Sequence, residues 1–298
     1  MRIYLAAIYT SGFGRGQVTA RLTPKELEHR FAIKHYLESY HYVKSATMVK
    51  RIREDGIKIF LDSGAFSAFS QGAVIDLPQY CEYIKQNADI IDVASVLDAI
   101  GDAEGTYNNQ HAMEQQGIRP LPCFHYGEDP RYLKYYLENY PYITLGGMVP
   151  VPNKTLIHWL DRIWDKHLTD SAGHARVKVH GFGLTSYKLM QRYPWFSVDS
   201  SSWVQAARTG AIYMPPLTAI SVSTNSPSIK QENAHLDTLA PILRQHVLDF
   251  VEQSGYDIAR LQNEYISRFA FNCHIFTVLN EKLNITGKTF VPEQGGLF

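Results

Sequence analysis

Apolar residues along the chain gather in short, nearly unbroken runs separated by longer amphipathic stretches. The runs are RIYLAAIY (2–9), IKIFLD (57–62), IIDVASVLD (90–98), IRPLPCFH (118–125), YITLGG (142–147), RVKVHGFG (176–183), FSVDS (196–200) and AIYMP (211–215). Strands with one wet face alternate apolar and polar residues, whereas near-continuous runs are expected of parallel strands buried on both faces. Helical spacing fills most gaps, over 77–87, 103–116, 130–138, 154–167, 186–191 and 202–208. Asp76 stands before the first of these as a cap, with Pro78 at an early position that tolerates proline. Strand then helix, repeated about eight times, predicts an α/β fold, a (β/α)8 TIM-type barrel. A doubly wound open sheet is the alternative that periodicity alone does not separate.

Two segments depart from the repeat. Residues 10–56 are too long for one connection and read as a Gly-rich loop, SGFGRG, followed by helices over 24–40 and 43–53. SGFGRG follows a strand but matches neither GxGxxG nor a P-loop, so it reads as a plain loop in which Arg15 could meet a phosphate. Residues 216–234 are rich in Ser, Thr, Asn and Pro and read as a loop, after which 236–253 and 257–283 carry helical periodicity. The reading is one domain over 1–298, with the barrel in 1–215 and a loop plus C-terminal helical extension in 216–298.

Composition narrows the function classes. Hydrophobic residues make up 45% of 298 residues, enough for one large core without disulfide support. Lys plus Arg equals Asp plus Glu at 29 each, so a strongly basic nucleic-acid module is not indicated and phosphate binding would need a local patch. Lys44, Lys50, Arg51, Arg53, Lys188, Arg192 and Arg208 could supply one, although each also reads as part of a solvated helix face. Cys81, Cys123 and Cys273 lie far apart with no CxxC, as in a reducing cytoplasm. No run approaches the ~20 apolar residues of a membrane span, and the N-terminus lacks a signal pattern, so a cytoplasmic protein is expected.

In a barrel of this kind chemistry sits where strands end. The runs end in Asp62-Ser63-Gly64, Asp98, His125-Tyr126-Gly127, Gly146-Gly147-Met148, His180-Gly181-Phe182-Gly183 and Asp199-Ser200. Three carboxylates, Asp62, Asp98 and Asp199, are thus expected on one rim. Any one could merely cap a helix, but Asp199 precedes three serines that could cap instead. Partly desolvated carboxylates suit acid–base work or nucleophilic attack. The glycines allow a flat ligand close to the backbone, or simply make tight turns. Phe66, Phe69, Tyr126, Phe182 and Met148 could sandwich a ring, or pack the core. The first run carries no His, so the HxH of metallohydrolase barrels is missing and no metal is expected.

The set DSGAF (62–66), LD (97–98), GGMV (146–149), HGFG (180–183) and VDSS (198–201) resembles the tRNA-guanine transglycosylase superfamily over roughly residues 1–215. Those enzymes are (β/α)8 barrels that exchange guanine in a nucleic acid for a 7-deazaguanine. The resemblance implies that Asp199 is the nucleophile holding a covalent intermediate and Asp62 the general acid/base, with Ser63 and Phe66 following it in the base pocket. It implies that Asp98 accepts hydrogen bonds from the N1–H and 2-amino edge of the base, and that Gly147, beside Gly146, donates a backbone N–H to the carbonyl oxygen. Met148 and His180 fall at apolar pocket walls. His125 stands where the tRNA enzymes carry a base-reading Gln.

The tRNA enzymes also carry a C-terminal CxCxxC-plus-His zinc site, which this sequence lacks, and they are longer. The chain is therefore more similar to the short phage and bacterial 7-deazaguanine DNA transglycosylases. These insert a base such as 7-cyano-7-deazaguanine into DNA, which protects it from restriction. The implied partners are a flipped or single-stranded guanine nucleotide in DNA and the small free base, with no cofactor. Superfamily members often dimerise, so a homodimer is open to this chain. The alternatives are a tRNA-guanine transglycosylase and a metal-dependent barrel hydrolase using Asp62, His125, His180 and Asp199. A non-catalytic nucleic-acid-binding barrel is a further reading, against which an intact Asp199 counts.

Overall fold

The computed structural model describes residues 1–14, 19–284 and 287–292. Arg15 of the Gly-rich loop lies outside them. Eight parallel strands form the sheet: β1 (Arg2–Ala6), β2 (Tyr36–Ser39), β3 (Ile59–Asp62), β4 (Ile91–Ala94), β5 (Cys123–His125), β6 (Tyr142–Gly146), β7 (Lys178–Gly181) and β8 (Ser197–Ser200). Their order is β4-β3-β2-β1-β8-β7-β6-β5. The two ends of that order meet at a parallel bridge between Ser95 and Leu121. There Leu121 N–H donates to the Ala94 carbonyl (2.8 Å) and Val96 N–H to the Leu121 carbonyl (3.0 Å). With helices between the strands, this is a (β/α)8 TIM-type fold.

Period-2 alternation explains the two core layers. Tyr4, Ala6, Leu37, Phe60 and Leu121 form a cluster inside the sheet. Ile3, Leu5, Ile59 and Leu61 point the other way, into the larger cluster shared with the helices. Both sets are buried, which is why the runs read as continuous rather than alternating.

The sequence count of eight strands is right, but its membership needs one correction. The run at 211–215 is not a barrel strand. It forms β9 (Ala211–Met214), paired antiparallel with β10 (Thr218–Ser221) in a separate hairpin, so the expected loop at 216–234 begins with a strand. The missing barrel strand is β2, which lies inside the helix expected over 24–40. That helix is Pro24–Phe31, begun by a capping box in which Glu26 N–H donates to Thr23 Oγ1 and Thr23 N–H to Glu26 Oε2. Its continuation, Tyr36–Ser39, pairs on both sides with β1 and β3 instead. Four residues are too few to display a strand period against the helical pattern before them. The helix expected over 236–253 is an α-helix only from Pro241 to Gln253, and that over 43–53 is Ala46–Glu54. The remaining boundaries move little, and Asp76 caps Leu77–Gln86 by accepting from Gln79 N–H (2.9 Å).

The C-terminal extension is part of the core. The expected helix over 257–283 is two helices, Ile258–Asn263 and Tyr265–Leu283, broken at Glu264. Residues 266–273 are buried without interruption, as in a helix enclosed on all sides. Its Asn272 Oδ1 accepts from Tyr213 N–H (2.8 Å), while Nδ2 donates to the Trp203 carbonyl (3.0 Å). Asn280 Oδ1 accepts from Ile3 N–H (2.6 Å), so the helix also holds the first barrel strand. Among the described residues no helix is long and apolar enough to cross a membrane.

Asn272 is fully buried and its three bonded groups, Tyr213 N–H and the Trp203 and Ala211 carbonyls, are backbone. Asn272→Ala leaves all three without that partner, and the expected cost is on the order of 3 kcal/mol, read from the urea unfolding midpoint. Near-wild-type stability would mean that the extension is not held through this side chain.

Candidate active site

A cavity of about 600 Å³ opens at the carboxyl ends of the strands. Its size suits a small flat ligand. Asp62, Asp98 and Asp199 all line it, together with Phe66, His125, Gly146, Gly147 and Met148. The parallel topology alone accounts for the convergence, since every strand delivers its last residues to the same end. Asp62 and His125 are the last residues of β3 and β5, Gly146 the last of β6, and Asp199 the third of β8's four.

Asp62 is half-buried, and its Oδ2 accepts from Gly64 N–H (3.0 Å). Gly64 has φ +76°, and a Cβ there would collide with Ser39 Oγ and stand 2.7 Å from His41 Cβ, so the turn after Asp62 needs glycine. Burial, with the neighbouring charges of Asp98 and Asp199, pushes the Asp62 carboxyl up from 3.8 to about 7. Such a group can hold or release a proton at neutral pH.

Asp199 is 7% exposed. Its Oδ1 accepts from Gly183 N–H (2.7 Å), and His180 Nε2 lies 3.3 Å away without hydrogen-bond alignment. Its Oδ2 receives no hydrogen bond from the described residues. Behind it runs a polar thread: Tyr142 Oη meets Ser197 Oγ at 2.7 Å, and Ser197 Oγ meets His180 Nδ1 at 2.8 Å. One oxygen is thus tethered and the other is left without a hydrogen bond among the described residues, in a side chain that lines the cavity, as suits a carboxylate nucleophile.

Asp98, beyond the end of β4, is not a helix cap, because Asp102 caps Ala103–Gln115. His125 Nε2 lies 3.5 Å from Asp98 Oδ1 and 3.4 Å from Cys123 Sγ. On its other side His125 Nδ1 meets Glu128 Oε1 at 2.8 Å, and its backbone N–H donates to Glu128 Oε2 at 2.9 Å. Burial opposes charge on His125, but the Cys123 sulfur, Asp98 and Glu128 outweigh it and hold the imidazole above its ordinary pKa. The Cys123 thiol is pushed up to about 11 by burial.

Two expected pocket residues sit elsewhere. Ser63 is fully buried behind the wall; its N–H donates to Ser95 Oγ and its Oγ accepts from Ala65 N–H, so it shapes the Asp62 turn. His180 is also fully buried, against the rings of Tyr4, Phe60 and Phe182, below the cavity rather than in its lining. Of the hydrolase quartet Asp62, His125, His180 and Asp199, His180 and Asp199 come within 3.3 Å of each other, but the four do not converge as one set of metal-ligand atoms among the described residues. Among the described residues the metal-ligand atoms that do come together, all within 4.8 Å, belong to Asp98, Cys123 and His125.

Of the pocket aromatics, Phe66, Tyr126 and Phe182 line the cavity, whereas Phe69 does not and is 65% exposed. Sequence reasoning missed Glu128, whose signal was the turn HYGED directly after a strand. It also missed Leu37, which comes from the unrecognised β2. Of the basic residues, Arg53 pairs with Asp89, Lys50 with Glu54 and Arg192 with Asp161.

No model of a known protein family matches this chain, and no curated protein matches it at a significant level.

The raised Asp62 pKa has a stability consequence. The folded state holds this proton more tightly than the unfolded chain. The stabilisation is therefore complete below the ordinary carboxylate range and is lost as pH rises through about 7. Asp62→Asn removes that dependence. The variant should gain on the wild type by up to roughly 4 kcal/mol at pH 8, with the gap closing towards pH 4. Urea unfolding at the two pH values measures this; a pH-independent gap would show that Asp62 ionises normally.

Proposed function

We propose that this chain is a base-exchanging glycosyltransferase (a pentosyltransferase) that replaces guanine in DNA by a 7-deazaguanine such as 7-cyano-7-deazaguanine. The observation that carries the reading is the meeting of three carboxylates in one base-sized cavity, each in a different environment. Exchange at C1′ with retained configuration requires two displacements through an oxocarbenium-like transition state. That demands a nucleophile, a proton carrier and a recognition group.

Asp199 meets the first demand. Its free oxygen attacks C1′, forming an ester bond as the glycosidic bond to guanine breaks, while the other oxygen is held by Gly183 N–H. Asp62 meets the second. Poised near neutrality, it gives its proton to the departing guanine and takes one from the incoming base, whose nitrogen then attacks C1′ and releases Asp199. Asp98 meets the third by accepting from the donor edge of the base. Phe66, Met148 and the backbone of Gly146 and Gly147 provide flat walls. The sugar carbon of a duplex is hidden in the stack, so the nucleotide enters flipped out or from a single strand. DNA is preferred over tRNA because the cysteine cluster of the tRNA enzymes' zinc site is missing from the sequence.

The test offers DNA and tRNA separately, with radiolabelled guanine or 7-cyano-7-deazaguanine. Label should enter DNA. Asp199→Asn and Asp199→Ala should lower the rate by about 10⁴-fold or more with the circular-dichroism spectrum unchanged. Label entering only tRNA would make this a tRNA enzyme. Near-wild-type exchange in either Asp199 variant would overturn the mechanism.

A further inference from the structure

Cys123 and His125 are two apart on β5, so both side chains project from the same side of that strand. They meet Asp98, which follows β4 across the seam where the ring closes. His125 Nε2 stands 3.4 Å from Cys123 Sγ and 3.5 Å from Asp98 Oδ1. Ligands 2.0–2.3 Å from a four-coordinate zinc ion are themselves about 3.3–3.6 Å apart. The two edges at His125 already have that length, and the three donors all lie within 4.8 Å of one another.

Three independent features favour an ion there. Asp98 Oδ1 is a buried oxygen with no hydrogen-bond partner, and the His125 imidazole faces it only as an ion pair at 3.5 Å. Glu128 holds the far nitrogen of His125 at 2.8 Å, the carboxylate–histidine pairing that orients an imidazole for a metal. A Cβ on Gly146 would stand 2.8 Å from Cys123 Sγ and 2.9 Å from His125 Cδ2, so a glycine keeps space beside the pair.

We infer that Asp98 Oδ1, Cys123 Sγ and His125 Nε2 form a mononuclear site for a borderline-soft divalent cation of the zinc type. Thiolate and carboxylate together balance the double charge. Binding displaces the Cys123 proton and the Nε2 proton of the His125 imidazolium to solvent, since the ligands are the thiolate and the neutral imidazole. Three protein donors leave a fourth position for water. The other oxygen of Asp98 remains for the cavity, so the ion fixes this carboxylate without consuming it. The inference does not rest on base exchange.

The test uses the full chain, stripped by a chelator and titrated with Co²⁺. One equivalent should bind, giving the visible bands of a four-coordinate ion and a near-ultraviolet thiolate-to-cobalt band. Cys123→Ala should abolish the near-ultraviolet band, whereas Cys81→Ala and Cys273→Ala keep it. His125→Gln, which retains the thiol, should weaken binding at least tenfold, and Glu128→Gln about 10–100-fold. No thiolate band in the folded wild type, or the same band in Cys123→Ala, would overturn the site. Should Cys123→Ala fail to fold, unchanged affinity in His125→Gln would overturn it equally. All readouts are spectroscopic, so they are separate from any failure of the exchange reaction.

Discussion

Parallel strands closed into a ring send every carboxyl end to the same rim, and here that constraint forces three aspartates into one cavity. Like charges so close in a half-dry space repel, and the surroundings are arranged around that repulsion. Asp62 relieves it by holding a proton near neutral pH. Asp199 relieves it with the Gly183 N–H on one oxygen. Asp98 lies beside His125, which Glu128 holds from behind. The three carboxylates thus differ in environment although they share residue type and position in the fold. Divergent environments are what allow similar groups to take different chemical roles.

The surrounding fold protects this arrangement. The ring is closed between β4 and β5 by a single bridge, next to the seam where Asp98 and His125 meet. On the opposite side β1 is gripped by β2, β8 and the enclosed helix Tyr265–Leu283. Glu38, buried at the end of β2, accepts from Tyr9 N–H (2.6 Å) and Thr10 Oγ1 (3.3 Å), pinning the segment after β1. Its carboxyl is pushed up to about 7 by burial. A fourth acidic group therefore serves the scaffold near the same rim, a reminder that a raised pKa marks burial before it marks function.

Much of this was legible in the chain because an apolar run that stops abruptly at Asp62 or Asp98 announces both a buried strand and a polar rim. The convergence of the three carboxylates followed from the parallel topology once that was inferred. What the runs could not display was partnership across the sheet. Tyr36–Ser39 is a strand because β1 and β3 leave a gap that it fills, and no local period encodes that gap. Ser63 and His180 carry the right residue types at the right ends, yet neither reaches the cavity. Ser63 is offset by one residue from Asp62 and turns to the other face, whereas His180 faces the barrel interior but lies level with Ser197, a layer below Asp199. Cys123 was read as one of three dispersed thiols. Its meaning depends on the contact with Asp98, 25 positions earlier in the sequence, which only ring closure creates.

That contact also bears on how a recognition carboxylate can stay fixed. A lone aspartate at a strand end rotates about its side-chain bonds, and its donor-reading geometry is lost as it does so. With one oxygen buried and directed at His125 and Cys123, rotation would carry that oxygen away from both. An ion at this point converts a steric preference into a bond and sets the plane of the carboxylate. The remaining oxygen then meets the cavity at a defined angle, which the proposed discrimination between two flat bases requires. On the proposed base exchange, His125 stands where the resemblance places a base-reading amide, and an imidazole can be held by Glu128 on one side while serving an ion on the other. On that proposal His125 orients the group that reads the base.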